Sequence, residues 1–118
     1  MVDREAIRRY VEDKYNTKAE RLWAKSPNNE VLRHSHNRKW YAIIMNVQKK
    51  RVGLEGEEII DVLNIKCEPE MVSSLSLQKG FCPAYHMNKE HWLTVILDGT
   101  VKDAEIFSLL DASYELTN

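Results

Sequence analysis

Four histidines and two cysteines are the side chains in this sequence best suited to chemistry. His34 and His36 stand two residues apart, so on a strand they would share a face and could hold a metal. Their neighbours Arg33, Arg38 and Lys39 work against this, because nearby cations repel another cation. The plainer reading is a polar, solvent-exposed loop. His86 and His91 flank Asn88-Lys89-Glu90, a turn by composition, and could meet across a hairpin with Cys82 nearby. A Cys/His2 zinc site there matches no finger spacing. Histidines bonded to the backbone of the turn account for the pair equally well. Cys67 closes an apolar run and is expected to be buried. Cys82, before Pro83 and near His86, is the better nucleophile candidate, but it lacks a third, orienting group. The spacing is not C-x-x-C, so no redox motif arises and two reduced thiols are expected. No metal and no cofactor is implied.

The motifs of common catalytic sites are absent. There is no G-x-G-x-x-G, no Walker loop and no H-E-x-x-H, and no G-x-S-x-G nucleophile elbow. The sequence is therefore read as non-enzymatic. What remains is charge. Residues 1–51 carry 13 Lys/Arg against 6 Asp/Glu, and residues 52–118 carry 4 against 12, so a net charge of −1 hides halves of +7 and −8. Halves of opposite sign suit an electropositive face for a polyanion, two halves that pair in the fold, or charges mixed over the surface. The basic residues gather in two places: Arg33, Arg38 and Lys39, and then Lys49-Lys50-Arg51. Both flank the run 40–48, with Trp40 and Tyr41 between them. Loops of this kind can act as wings on a phosphate backbone, although solubilising charge reads the same way. A pI near 6.4 argues against a strong general DNA binder.

The elements that must position these residues follow from periodicity. The chain of 118 residues suits one domain with a core of its own. No apolar run reaches the ~18 residues of a membrane span. The N-terminus runs straight into a charged amphipathic stretch with no apolar signal core, so a cytoplasmic location is expected. Ile7, Tyr10, Val11 and Tyr15 make one stripe of a helix over 3–16, with Asp3 as N-cap. Strands are expected at 19–24, 30–34, 40–48, 59–67, 84–87 and 91–97. In 40–48, Tyr41, Ile43, Met45 and Val47 line one face, while Trp40, Ala42 and Ile44 begin the other. Residues 49–58 read as a polar hairpin connection. Pro69 opens a helix through about Gln78 with Gly80 as C-cap. Thr100 and Asp103 resemble a capping box for a helix over 103–114. This order predicts an α+β two-layer sandwich, with a mostly antiparallel sheet and helices on one face.

The stretch Asn64-Ile65-Lys66-Cys67-Glu68-Pro69-Glu70 resembles the N-[LI]-K-C-[DE]-P-E segment of the MmcQ/YjbR family. Pro83-Ala84-Tyr85-His86-Met87-Asn88-Lys89-Glu90-His91-Trp92 is similar to its YHMNK-x-HW signature, and Asp98-Gly99 and Ser113-Tyr114-Glu115-Leu116 fit its C-terminal pattern. The likeness runs over the chain from Trp40 and more loosely before it. It implies one YjbR-like domain over 1–118, with a CyaY-like, or secretion-chaperone-like, fold. It also implies a DNA-binding role, which rests on shape similarity to a double-wing domain, and fold alone does not carry function. The family brings no catalytic residues. Its motif positions Lys66, Pro69, His86, Met87, Asn88, Lys89, His91 and Trp92 are candidates only. Asn88 making the turn and Trp92 packing in the core explain two of them without any ligand. Two partners are expected as alternatives. One is double-stranded DNA, held by Arg33, Arg38, Lys39, Lys49, Lys50, Arg51 and Lys89. The other is a protein docking on a sheet face through Trp40 or Trp23.

Overall fold

The β-branched and aliphatic runs at the centre of the sequence become the middle of a sheet, where both faces are covered. The computed structural model describes residues 1–85 and 87–118. Its elements are α1 (Arg4–Tyr15), β1 (Glu30–Arg33), β2 (Trp40–Gln48), β3 (Ile59–Lys66), α2 (Pro69–Leu75), β4 (Phe81–Pro83), β5 (Trp92–Ile96) and α3 (Asp103–Thr117). The five strands lie in the order β1-β2-β3-β5-β4 and every pair is antiparallel. This is the expected α+β architecture. Both outer strands are short and occupied. Val31 of β1 exchanges backbone bonds with Glu20 at 2.8 and 3.0 Å, and β4 has three residues ending in Pro83, which has no N–H to offer.

One irregularity in β2 matters for the surface. The β1–β2 register moves from Leu32↔Ala42 to Arg33↔Trp40, leaving Tyr41 as an extra residue. Such a bulge breaks the alternation. Tyr41 therefore joins Ala42 and Ile44 in the cluster under the helices, while Trp40 joins Ile43, Met45 and Val47 on the other face. Strict alternation predicted the opposite placement of Trp40 and Tyr41.

The helices bury Ile7, Val11, Val72, Ile106, Leu109 and Leu110 against one side of the sheet. Asp3 caps α1 as expected, its Oδ1 accepting from the Ala6 N–H at 2.9 Å. Asp111 of α3 accepts from Tyr10 (2.8 Å), Tyr15 (2.6 Å) and Lys14 (2.9 Å), tying α1 to α3. Arg4 bridges Glu30 at 2.9 Å and Asp61 at 2.7 Å, and Arg8 reaches Glu30 at 2.8 Å, tying α1 to the sheet. α2 ends at Leu75 with Ser76 as its cap, so Gly80, at φ 91°, serves the turn into β4 rather than a helix end. α3 runs three residues beyond the expected end, and Lys102 precedes it without a side-chain cap, so the capping box does not form.

The other side of the sheet is covered by loops. Residues 49–58 are more than a connection: Lys49–Val52 forms a 3-10 turn that presses Val52 into the apolar cluster with Leu54 beside it. Tyr85 and Met87 also pack over this face, against the cluster. Ala84, Tyr85 and Met87, expected in a strand at 84–87, are therefore a lid, and the edge strand lies earlier, at Phe81–Pro83. The expected strand at 19–24 is reduced to the single bridge at Glu20.

Candidate functional site

Asn64 of the first signature segment and Tyr85 of the second meet on the loop-covered face. Asn64 and Thr94 are cross-strand partners, both fully buried. Thr94 donates its hydroxyl to Asn64 Oδ1, Asn64 Nδ2 donates to the Tyr85 carbonyl at 3.0 Å, and the Tyr85 N–H donates to Thr94 Oγ1 at 3.0 Å. Two buried polar side chains thus satisfy each other and grip one residue of the lid at both its backbone groups. Asn88 finishes the turn: its Oδ1 accepts from Glu90 N–H at 2.8 Å and its carbonyl from Trp92 N–H at 2.9 Å. Trp92 is buried, as expected. Pro69 opens α2, and Lys66 gives its N–H to Ser113 Oγ at 2.9 Å, which docks α3. Asn88, Lys89 and His91 are exposed, and His86 lies outside the described residues.

Beside the lid lies a cleft of about 310 Å³, lined by Trp23, Ser26, Asn29, Trp40, Ile43, Met45 and Met87. Trp23 and Trp40 meet edge to face, with ring centroids 5.7 Å apart at 84°. The bulge at Tyr41 delivers Trp40 to this face. Trp23 stays 39% exposed, and Leu22, its neighbour in sequence, is 43% exposed.

The basic candidates do not form one surface. Arg33, Arg38 and Lys39 sit at the start of β2, and Lys49, Lys50 and Arg51 at its end, roughly 26 Å away by strand rise. Arg33 is spent on a two-pronged bridge to Glu20, with Nη2 at 2.7 Å, which holds that carboxyl below its usual range. Lys49 and Lys50 face Glu58 and Glu57 at 3.6 and 3.4 Å. Arg51 and Lys89, distant in sequence, line one cleft of about 490 Å³ with Cys82 and Tyr85. Neither thiol is poised to attack: burial pushes Cys67 up to about 11 and raises Cys82, and both are free. His34 is not in a solvated loop. It is 2% exposed, among Tyr41, Tyr114 and His36 at ring distances of 5.2, 4.2 and 5.2 Å. Among the described residues no three His, Cys, Asp or Glu side chains gather to hold a metal. Nor is any helix there long and apolar enough to cross a membrane.

The YjbR family model matches residues 2–116. The chain belongs to the YjbR family. This YjbR domain is 44% identical over 117 residues to the uncharacterized protein YyaQ of Bacillus subtilis (strain 168), covering 99% of each. The uncharacterized protein YjbR of Escherichia coli (strain K12) matches over 54 residues at 43%, covering 45% of this chain and 46% of that one. A crystal structure of a Pseudomonas syringae protein superimposes with a TM-score of 0.96 at 44% identity, covering 99% of this chain and all of that one. A Deinococcus radiodurans protein with the DUF419 domain follows at TM-score 0.71 and 25% identity, over 95% of this chain and 75% of that one. Within the YjbR domain, the two signature segments are thus a clamp and its lid. The sequence signal for the tryptophan cleft was present in Leu22-Trp23 and Trp40, but the bulge that pairs the two indoles carries no local mark.

Proposed function

We propose that this YjbR domain is a non-catalytic binding module, and that it takes an apolar side chain of a partner polypeptide into the Trp23–Trp40 cleft. The observation that carries the reading is the tryptophan pair itself, half in water beside exposed Leu22. Contiguous exposed apolar surface marks interaction sites, and tryptophan in a pocket is the commonest anchor of a protein interface. Met45 and Met87 add unbranched, polarizable walls that adapt to the shape of what enters. Ser26 and Asn29 at the same cleft offer hydrogen bonds to a partner's backbone. The charges point the same way, since Arg33, Lys49 and Lys50 have carboxylate partners and the two basic clusters lie at opposite ends of β2. A displayed peptide library selected on this protein tests the reading. Winners are expected to carry a large apolar residue, to shift tryptophan emission on binding, and to lose at least ~tenfold affinity to Trp23→Ala. Winners that bind Trp23→Ala and Trp40→Ala undiminished would reject the cleft.

Double-stranded DNA is the second reading, favoured by Arg51 and Lys89 lining a common cleft with Lys49 and Lys50 on the same 3-10 turn. Changing Lys49, Lys50 and Arg51 together to Ala should then lower the log–log salt slope of duplex binding by about 2–3. Duplex binding lost in that triple variant and intact in Trp23→Ala would move the function to these loops.

A further inference from the structure

A second cleft, of about 220 Å³, opens where the turn after α1 meets the turn after β1. It is lined by Tyr15, Asn16, Thr17, Lys18, Glu20, Arg33, His34, Ser35, Arg38 and Tyr114. Its ionised side chains are three cations and one carboxylate, and that carboxylate, Glu20, is already bridged by Arg33. The C-terminal ends of α1 and α3 border the cleft, and each brings about half a negative charge. The balance still leaves the cleft cationic by roughly one charge. His34 lines it too, and its Nδ1 is the one buried side-chain nitrogen or oxygen among the described residues that lacks a hydrogen-bond partner. Unpaired buried polar atoms are rare enough to need a reason, and a missing ion is one of them.

His34 Nε2 lies 2.8 Å from Thr117 Oγ1, a hydroxyl that can give its own hydrogen to the carbonyl of Ser113 at 2.9 Å or Tyr114 at 3.2 Å. In the tautomer that satisfies both groups, Thr117 accepts from Nε2 and Nδ1 of the neutral ring is an acceptor. Protonation at Nδ1 would place a donor and a full positive charge on a residue that lines the cleft. Burial first, then the neighbouring His36 and also Lys39, work against that protonation, while the Tyr114 backbone and Glu115 favour it. The other charged or titratable groups around the ring are Lys39 on its own turn, Tyr41 on β2, Tyr15 on α1, Tyr114 on α3, and Lys18, Glu20, Arg33 and Arg38 along the cleft.

We propose that this cleft binds a small oxyanion through Arg38 and Lys18, and that binding draws a proton onto His34. The volume limits the ligand to a phosphate, a phosphomonoester or a compact carboxylate, below the range of larger organic ligands. The site is independent of the tryptophan cleft, so either can fail alone.

Sulfate is the probe of choice, because it keeps its charge across the working range while phosphate titrates within it. Sulfate binding is followed by amide shifts of the intact protein from about pH 5 to about pH 8, with the ring nitrogens of His34 read in the same samples. Saturable binding is expected to tighten as the pH falls, by up to ~tenfold per pH unit. Sulfate should move the His34 transition to higher pH, a readout that needs no variant. Arg38→Ala should weaken sulfate at least ~tenfold, Arg38→Lys should recover part of this, and His34→Gln should flatten the pH slope. Acetate should bind more weakly than sulfate; acetate tighter than sulfate would assign the site to carboxylates. Sulfate that fails to saturate at millimolar concentration, or binds Arg38→Ala as well as wild type, would overturn the site. A His34 transition unmoved by bound sulfate would overturn the proton coupling.

Discussion

Replacing Asn64 with Ala tests whether the YjbR signature works as a clamp on its own lid. Asn64 is fully buried and makes three hydrogen bonds: it accepts from the Thr94 hydroxyl, donates to the Tyr85 carbonyl at 3.0 Å, and makes a weak third contact to the Met45 sulfur at 3.4 Å. The first loss strands a fully buried hydroxyl, at about 1–3 kcal/mol. The second removes the bond to the Tyr85 carbonyl, at about 1 kcal/mol. The sum is ~2–4 kcal/mol, out of a total near 5–15 kcal/mol for a domain of this size. Urea unfolding should show a lower midpoint at an unchanged slope. Hydrogen exchange should quicken at the Tyr85 amide, which donates to Thr94 at 3.0 Å, more than at the centre of β3. A cycle with Thr94→Val isolates the coupling, expected at ~1–2 kcal/mol. A loss below ~1 kcal/mol with the lid amides unchanged would refute the clamp.

Glu30, 3% exposed, holds Arg4 and Arg8, so Glu30→Ala should cost roughly 2–3 kcal/mol in chemical denaturation, between the surface and fully buried limits. Burial alone would raise its pKa, but the bonds from Arg8 and Arg4 win and hold it below the ordinary value. Its contribution is therefore complete above the normal glutamate range and is lost as pH falls through the depressed native value, so wild type and Glu30→Ala should converge on acidification. Trp92→Ala should cost ~3–5 kcal/mol by the same assay, as a buried indole leaves a cavity. Cys67 and Cys82 should resist a thiol reagent in the folded protein and react once denaturant exposes them, because both are buried and raised by burial.

Length and apolar continuity made the centre of the fold legible. Residues 40–48 and 59–67 are apolar on both faces because both faces are covered, and Asp3 with its stripe of Ile7 and Val11 announced α1. The misreadings share a cause. Tyr85 and Met87 alternate like a strand, yet they belong to a loop that packs both side chains on the sheet. Leu22 and Trp23 read as part of a strand over 19–24, but only Glu20 bridges there, and the two stand at the surface. The bulge at Tyr41 bears no glycine or proline, so nothing local warned that two neighbouring aromatics would part to opposite faces. Charge pairing was equally hidden, since Arg33 meets Glu20 across 13 positions and only the closed structure brings them together.

The outer strands, described above only as short and occupied, also decide how copies of this chain can meet. A sheet grows by offering a row of free N–H and C=O groups to an incoming strand. Here Glu20 has taken those of Val31 on one side, and on the other Pro83 interrupts a row only three residues long. Among the described residues both edges are thus blunted against pairing with a strand of another copy while the domain stays folded.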